Sequence, residues 1–263
     1  MSRGFVIVAT GDPQYLVCAN TLTDSIHRTM PHALVSLITD HDISDSRYDH
    51  IIKTASVSKD PWRLADDYQV YNLSPYQETI KLESDLYLPR SVEWWWDAHK
   101  DRDLNICTTI RDYRGNISTS PAYRQTFIDS GLPSVYNAMT YFKKSTLAEG
   151  FYATVKDIFE NWQEVKATLK HSSEENATTD VVYGIAALLH GVENCTMPSL
   201  TDFSMVHMKR WIQNLQTEVW HNELVYEVLP HALRIQSHHQ WYPVHYYNKD
   251  FATIINRELA NEQ

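Results

Sequence analysis

"TIKLESDLYLP", residues 79–89, decides how this chain is read. Ile80 and Leu82 alternate with polar neighbours, the two-residue period of a strand whose faces differ. The stretch then sets Glu83 and Asp85 around Ser84, resumes its apolar character at Leu86 and Leu88, and stops at Pro89. In open α/β sheets ligands bind outside the carboxyl ends of the strands, so a strand closing on Glu-Ser-Asp presents two carboxylates where a crevice opens. If strand geometry holds through both, their side chains share a face and repel. A hard divalent cation with oxygen ligands, one that also grips phosphates, relieves that repulsion. The plain alternative is an exposed turn with two ordinary acids, because Glu-x-Asp is common by chance.

Working outward, the upstream sequence has the form of a βαβ unit. "GFVIVATGD" (4–12) is an apolar run closed by turn residues, and residues 15–29 space Leu16, Ala19, Leu22 and Ile26 at helical intervals. Pro31 ends that helix, "ALVSLITD" (33–40) is a second buried strand, and "HIIKTA" (50–55) a third. Strand, helix, strand with short links predicts an α/β fold with a mainly parallel central sheet flanked by helices. Downstream, 62–77 reads as a partly helical surface segment and 91–100 as a short helix capped by Ser91. Residues 105–113 and 134–144 read as two further strands. A long helix then carries Phe151, Val155, Ile158, Phe159, Trp162 and Val165 on one face, and a shorter one (178–192) ends at Gly191. After about residue 196 the pattern is less regular. With no repeat or Pro/Gly-rich linker, a single domain over 1–263 is the simplest division.

A chain of 263 residues buries a substantial core without staples. The net charge of −10 argues against a strongly basic nucleic-acid-binding domain, leaving only a local basic groove. Cys18, Cys107 and Cys195 are scattered and lack CxxC spacing, which predicts buried thiols of a reducing compartment, not a disulfide frame or zinc site. The N-terminal apolar run is too short for a signal peptide, and no run approaches the roughly 20 apolar residues of a membrane span, so the expectation is a soluble cytoplasmic protein. The run Trp94-Trp95-Trp96 leaves one or two indoles partly exposed, where a sugar or base would stack; packing is the use of the others.

In their order these pieces resemble the GT-A glycosyltransferases, especially retaining nucleotide-sugar transferases of the glycogenin and lipopolysaccharide-galactosyltransferase type. "FVIVATGD" stands where that family's first strand opens the nucleotide site. "YQETIKLESDLYLP" has the form of its Asp-x-Asp strand, with Glu in the first place. "SVYNAMTYFKKSTLAEGF" supplies Asn137-Ala138-Met139 in place of Asn-Ala-Gly, followed by a strand and helix. "TTDVVYGIA" puts Asp180 at a helix start, and "MVHMKRW" gives His207, Lys209 and Trp211. The resemblance runs over roughly residues 4–212. Three positions depart from it: Glu83 replaces Asp, Met139 replaces Gly, and the His207 segment lacks the family's Gly. The chain thus resembles a distant relative.

The resemblance implies a metal-dependent transfer of a sugar from a nucleotide-diphosphate donor to a hydroxyl acceptor. Its nucleotide-binding part would cover about residues 1–90, with acceptor and C-terminal elements in about 91–263. Mn²⁺ or Mg²⁺ would stabilise the departing diphosphate, held by Glu83 and Asp85. A late imidazole as third ligand would favour Mn²⁺, His207 first and His245 of "YPVHYYNKDF" second. Lys209 would neutralise the diphosphate. Thr10, Asp12 and Asp40, at the ends of the first two strands, would meet the nucleotide or cap turns. Asn137 and Asp180 would lie near the donor sugar and acceptor. The acceptor would be a glycan or small molecule, with a hydroxymethylated DNA base of the phage type also open; Arg111, Arg114, Arg124, Lys143 and Lys144 are the cations such a polyanion would use. Two other readings compete. One is a noncatalytic nucleotide- or carbohydrate-binding relative, suggested by Glu83 and Met139. The other is a sugar nucleotidyltransferase, whose Gly-rich basic loop "ATGDPQY" does not supply.

Overall fold

The computed structural model describes residues 2–54, 67–118, 124–170 and 175–260. Its earlier strands are β1 (Arg3–Ala9), β2 (Val35–Thr39), β3 (His50–Lys53), β4 (Glu78–Glu83), β5 (Leu86–Tyr87), β6 (Leu104–Cys107), β7 (Thr109–Arg111) and β8 (Tyr136–Lys143). The later ones are β9 (Ser204–His207), β10 (Tyr226–Leu229), β11 (Ala232–Ile235), β12 (His238–His239) and β13 (Val244–His245). Helices up to residue 160 are α1 (Gln14–Thr29), α2 (Val70–Leu73), α3 (Trp95–Ala98), α4 (Gln125–Asp129) and α5 (Thr146–Glu160). They are followed by α6 (Trp162–Thr168), α7 (Thr179–His190), α8 (Val192–Cys195), α9 (Arg210–Gln213) and α10 (Asp250–Ala260).

The largest sheet runs β3-β2-β1-β4-β8-β6, with β1 to β4 mutually parallel and β8 antiparallel to both its neighbours. This is the mixed, mainly parallel α/β architecture expected. β1 is apolar on both faces because both are covered. Phe5 and Ile7 join Ile80 and Leu82 in one core, while Val6 joins Ile38, Phe142 and Val182 in the other. The same alternation places Lys81 and Glu83 of β4 on the Val6 side.

Gly4 permits a close approach that no other residue would. A Cβ there would lie 2.4 Å from the ring of Tyr76, which is buried and whose hydroxyl sits 2.7 Å from Ser36 Oγ. Gly4→Ala should therefore cost about 2 kcal/mol by overpacking and lower the thermal midpoint by several degrees. A melt superimposable on the wild type would show that Tyr76 moves aside freely.

Several elements differ from their sequence expectation. Of 62–77, residues 62–66 lie outside the described residues, and the helix in the remainder buries Val70 and Tyr71 instead of lying on the surface. α3 begins only at Trp95, with Trp94 exposed and Trp95 and Trp96 buried. Residues 105–113 form two strands, because a register shift between Ile106 and Cys107 takes the chain out of the first sheet and β7 enters another. The long helix breaks at Asn161 into α5 and α6. β4 itself stops at Glu83, and Ser84 and Asp85 form a turn.

That turn leads into a second sheet, β5-β13-β9-β7, in which β9 and β13 are parallel with His207 opposite His245. A hairpin sheet, β10-β11-β12, follows. A third core gathers Trp220, Tyr246 and Phe251, and α10 packs back on α1, where Gln14 Nε2 donates to Asp250 Oδ1 at 2.8 Å. The irregular C-terminal part is thereby tied to the first helix, and residues 244–249 are held beside the end of β1. All three cysteines are free and buried. Among the described residues no helix is long and apolar enough to cross a membrane.

Candidate metal centre and cavity

From β1 the chain crosses to β2 on one side, while β4 flanks β1 on the other, so the β1/β4 seam is the sheet's topological switch point. A cavity of about 550 Å³ opens there, lined by Val8, Ile38, Lys81 and Glu83 from one sheet face. Opposite them come side chains of α4, α7 and the ends of β9 and β13. The volume lies within the range of small-ligand sites.

In its lining Glu83, Asp85 and His245 converge, with one ligand atom from each lying within 4.8 Å of the others. His245 Nε2 is 3.0 Å from Asp85 Oδ1 and 3.5 Å from Glu83 Oε2. The turn at Ser84-Asp85 makes this possible: Glu83 projects from the last strand residue, and Asp85 folds back toward β13, its carbonyl accepting the Tyr246 N–H at 3.1 Å. The set suits a divalent ion, since donors adjacent on an octahedral ion at about 2.1 Å lie roughly 3 Å apart. Two carboxylates and one imidazole also suit Mn²⁺ better than Mg²⁺.

Burial pushes the Glu83 carboxyl above its usual range, against the pull of Lys81 and His245. Burial would also raise Asp85, but the adjacent His245 overrides it and holds that carboxyl low. Burial would lower His245, yet Asp85 and Glu83 hold its imidazole above the ordinary value. His207, the first imidazole expected from sequence, stands outside the converging set. Its ring stacks on His245 with centroids 4.7 Å apart, and burial together with the charge of His245 pushes it well below the ordinary value. Its Nδ1 is buried with no hydrogen-bond partner among the described residues.

Against the same cavity lies a charged network. Lys81 Nζ is 3.1 Å from Asp67 Oδ1 and donates to the Asn137 carbonyl at 3.2 Å. Asp67 Oδ2 accepts from Tyr183 Oη at 2.6 Å and Asn137 Nδ2 at 3.1 Å. The Asn137 N–H donates to Asp180 Oδ1 at 2.8 Å, and Arg124, packed between the Phe127 and Tyr136 rings, pairs with Asp180 Oδ2 at 3.7 Å.

Thr10, Asp180, His207 and Lys209 line the cavity beside the triad. Asn137 does not: it is wholly buried, its side chain engaged by Asp67, so it positions Asp180 without facing the cavity. Asp12 and Asp40 stand outside the lining and hold turns. Asp12 accepts the Gln14 N–H, and both Asp40 oxygens accept the N–H of Gly11, whose φ of 77° favours glycine. Met139 packs in the core on the sheet's other face, paired with Leu82, while Ala138 meets the cavity, so the missing glycine narrows nothing. Of the cations that a polyanionic acceptor would use, Arg111 is buried against Ser204 and the carbonyls of Gly115 and Thr201, Lys144 bonds the Tyr71 carbonyl, and Arg124 lines the cavity.

Sequence reasoning missed Lys81, Asp67 and Tyr247. Lys81 was legible in principle, since Lys-x-Glu in a strand puts both side chains on one face. Tyr247 lines the cavity with φ at 61°, unusual for a bulky residue, and carries Lys209 Nζ 5.2 Å from its ring centre.

No family model and no curated protein sequence matches the chain. Among solved structures it is similar to the glycosyltransferase GlyE of Streptococcus pneumoniae TIGR4, at 14% identity and TM-score 0.45, covering 75% of this chain and 46% of that one. It is also similar to an active-site mutant of LgtC (10%, TM-score 0.46, covering 73% and 71%) and to mouse xyloside xylosyltransferase 1 (10%, TM-score 0.45, covering 75% and 84%). The chain spans less than half the length of GlyE and of the bifunctional glycosyltransferase WbbM.

Proposed function

We propose that this cavity binds a nucleoside-diphosphate sugar together with a divalent cation, and transfers the sugar to a hydroxyl of a glycan or small-molecule acceptor. The observation that carries the reading is the convergence of Glu83, Asp85 and His245 at the switch point, in the lining of a cavity large enough for such a donor. When bound, the ion would act as a Lewis acid on the departing diphosphate.

The chain's own groups do the rest. Thr10 and the apolar Val8 and Ile38 line the part of the cavity at the ends of β1 and β2, which takes the nucleoside. Lys209 and Lys249 bring positive charge to the cavity lining that holds the triad, where the diphosphate would sit. Asp180, fixed by Arg124 and the Asn137 N–H, presents a carboxylate that accepts a hydrogen bond from a sugar hydroxyl.

The test is calorimetric titration with UDP, GDP and other nucleoside diphosphates, with and without Mn²⁺. One nucleotide should bind in a metal-dependent way; no binding under any condition would overturn the reading. The pH dependence follows from His245. A metal ligand must be a neutral imidazole, and this one keeps its proton above the ordinary value of about 6.5, so Mn²⁺ must displace a proton. Mn²⁺ affinity should rise with pH, by up to about tenfold per unit while His245 is still protonated. The metal-free fold shows the opposite trend: the His245⁺ contribution is present at low pH and lost as pH rises through the raised value. A Mn²⁺ affinity flat between pH about 6 and 8 would remove His245 from the ligand set.

A further inference from the structure

We infer that Trp211 is the stacking platform of an acceptor subsite, and that the acceptor is a glycan with one pyranose ring on this indole and a hydroxyl reaching the cavity. The inference rests on the reading above and names the acceptor class.

An exposed indole alone is ordinary; this one is built into place beside the cavity. Trp211 is 53% exposed and stands outside the cavity lining, two residues past Lys209, which belongs to it. Two peptide steps keep its Cα within about 7.6 Å of that of Lys209. The turn that carries it, α9, is anchored by its other residues. Ile212 and Gln213 are buried, Gln213 Nε2 donates to the His207 carbonyl at 2.9 Å, and Gln213 Oε1 accepts the Tyr113 N–H at 2.9 Å. The Arg210 guanidinium backs the indole, 4.0 Å from its ring centre. Arg210 is held in turn by Glu218, whose Oε2 accepts its N–H at 3.1 Å and whose Oε1 lies 3.4 Å from its Nε. Burial and the charge of Glu218 push the Tyr247 hydroxyl above its ordinary value, which puts the same carboxylate near a ring of the cavity lining.

These groups match a sugar. A pyranose carries C–H groups on its face and hydroxyls around its edge, and a flat indole takes the face. At the edge, Arg210 donates and Glu218 accepts, both part-exposed, so neighbouring hydroxyls find both kinds of partner. A nucleobase would stack as well, but the guanidinium that would meet its phosphate is engaged by a carboxylate that repels it.

The experiment loads the protein with Mn²⁺ and the nucleoside diphosphate that it binds. It is then titrated with gluco-, galacto- and manno-configured disaccharides and with oligothymidylate, read by calorimetry and saturation-transfer NMR. At least one disaccharide should bind, its ring C–H protons receiving the transfer. Trp211→Ala should weaken that disaccharide by about tenfold or more. Trp211→Phe should cost less, because a smaller ring still stacks, and Glu218→Gln should cost a few-fold. Thermal melts check the fold, and the Mn²⁺–nucleotide titration of the same variants should stay unchanged. Unchanged disaccharide affinity in a folded Trp211→Ala variant overturns the inference. So does a loaded protein that binds none of the disaccharides, or tighter oligothymidylate binding that Trp211→Ala abolishes. Failure of every nucleoside diphosphate to bind would instead overturn the donor reading. The disaccharide titration of the unloaded protein then decides the platform by itself: binding lost in Trp211→Ala upholds a glycan site there, and no binding removes it.

Discussion

Asp85→Asn should weaken Mn²⁺ binding by about a hundredfold or more and take metal-dependent nucleotide binding with it. Asparagine keeps the side chain's size and one acceptor oxygen, so the turn survives: its fold-side contact, the Tyr246 N–H, goes to the Asp85 carbonyl and not to the side chain. What disappears is the charge. A hard cation binds carboxylate far better than a neutral amide. The same change removes the closest anion from His245, 3.0 Å away, so the imidazole loses the main influence holding its proton. The pH dependence of any residual Mn²⁺ binding should therefore shift to lower pH, an effect that simple misfolding would not produce. Glu83→Gln should do less to the proton, since Glu83 is the more distant carboxylate at 3.5 Å. Circular dichroism checks the fold, and Mn²⁺ titration reads the affinity. Retention of Mn²⁺ affinity within about threefold would mean that Asp85 serves only as the partner of His245 and that the cation, if one binds, sits elsewhere.

The first strands and helix were legible because their signals are local. β1, α1, β2 and β3 are short apolar runs and one 3.6-period stretch separated by turn residues, and each lies within a few residues of where the pattern puts it. Pairing direction leaves no such trace. Nothing in "SVYNAMTYFKK" distinguishes a parallel strand from β8, which runs against β4 and β6. The exit of the chain from the first sheet at Cys107 is likewise silent, because Ile106 and Ile110 are buried on either side of the break. At the site, Glu83 and Asp85 were visible as a pair of acids closing a strand. The order of the two imidazoles was not, since His207 and His245 stand opposite each other on parallel strands and only the Ser84-Asp85 turn decides which one meets the carboxylates. Lys81 passed as the polar member of an alternating strand because its partner, Asp67, is fourteen residues away in sequence and brought close only by the packing of the segment around α2.

That pair yields the second large effect. Lys81→Met should destabilise the fold by about 3–5 kcal/mol, lowering the thermal midpoint by about 10 °C, because it leaves Asp67 buried with its countercharge gone. The Lys81 side chain is 1% exposed and that of Asp67 9%, so water cannot replace the lost ammonium. Tyr183 Oη and Asn137 Nδ2 still donate to Asp67, but neither carries charge. Pairing Lys81→Met with Asp67→Leu should restore much of the loss, since apolar residues of similar volume often replace a buried ion pair at little cost. The coupling between the two changes, measured as a double-mutant cycle in thermal or urea melts, should be at least about 2 kcal/mol. Additive single losses would mean that the 3.1 Å contact contributes no interaction of its own. A restored double variant that still binds the bare nucleotide but no longer the nucleotide sugar would separate what the pair does for the fold from what it does for the sugar. An apolar floor holds the sheet together, but it offers a polyhydroxylated ring nothing to bond.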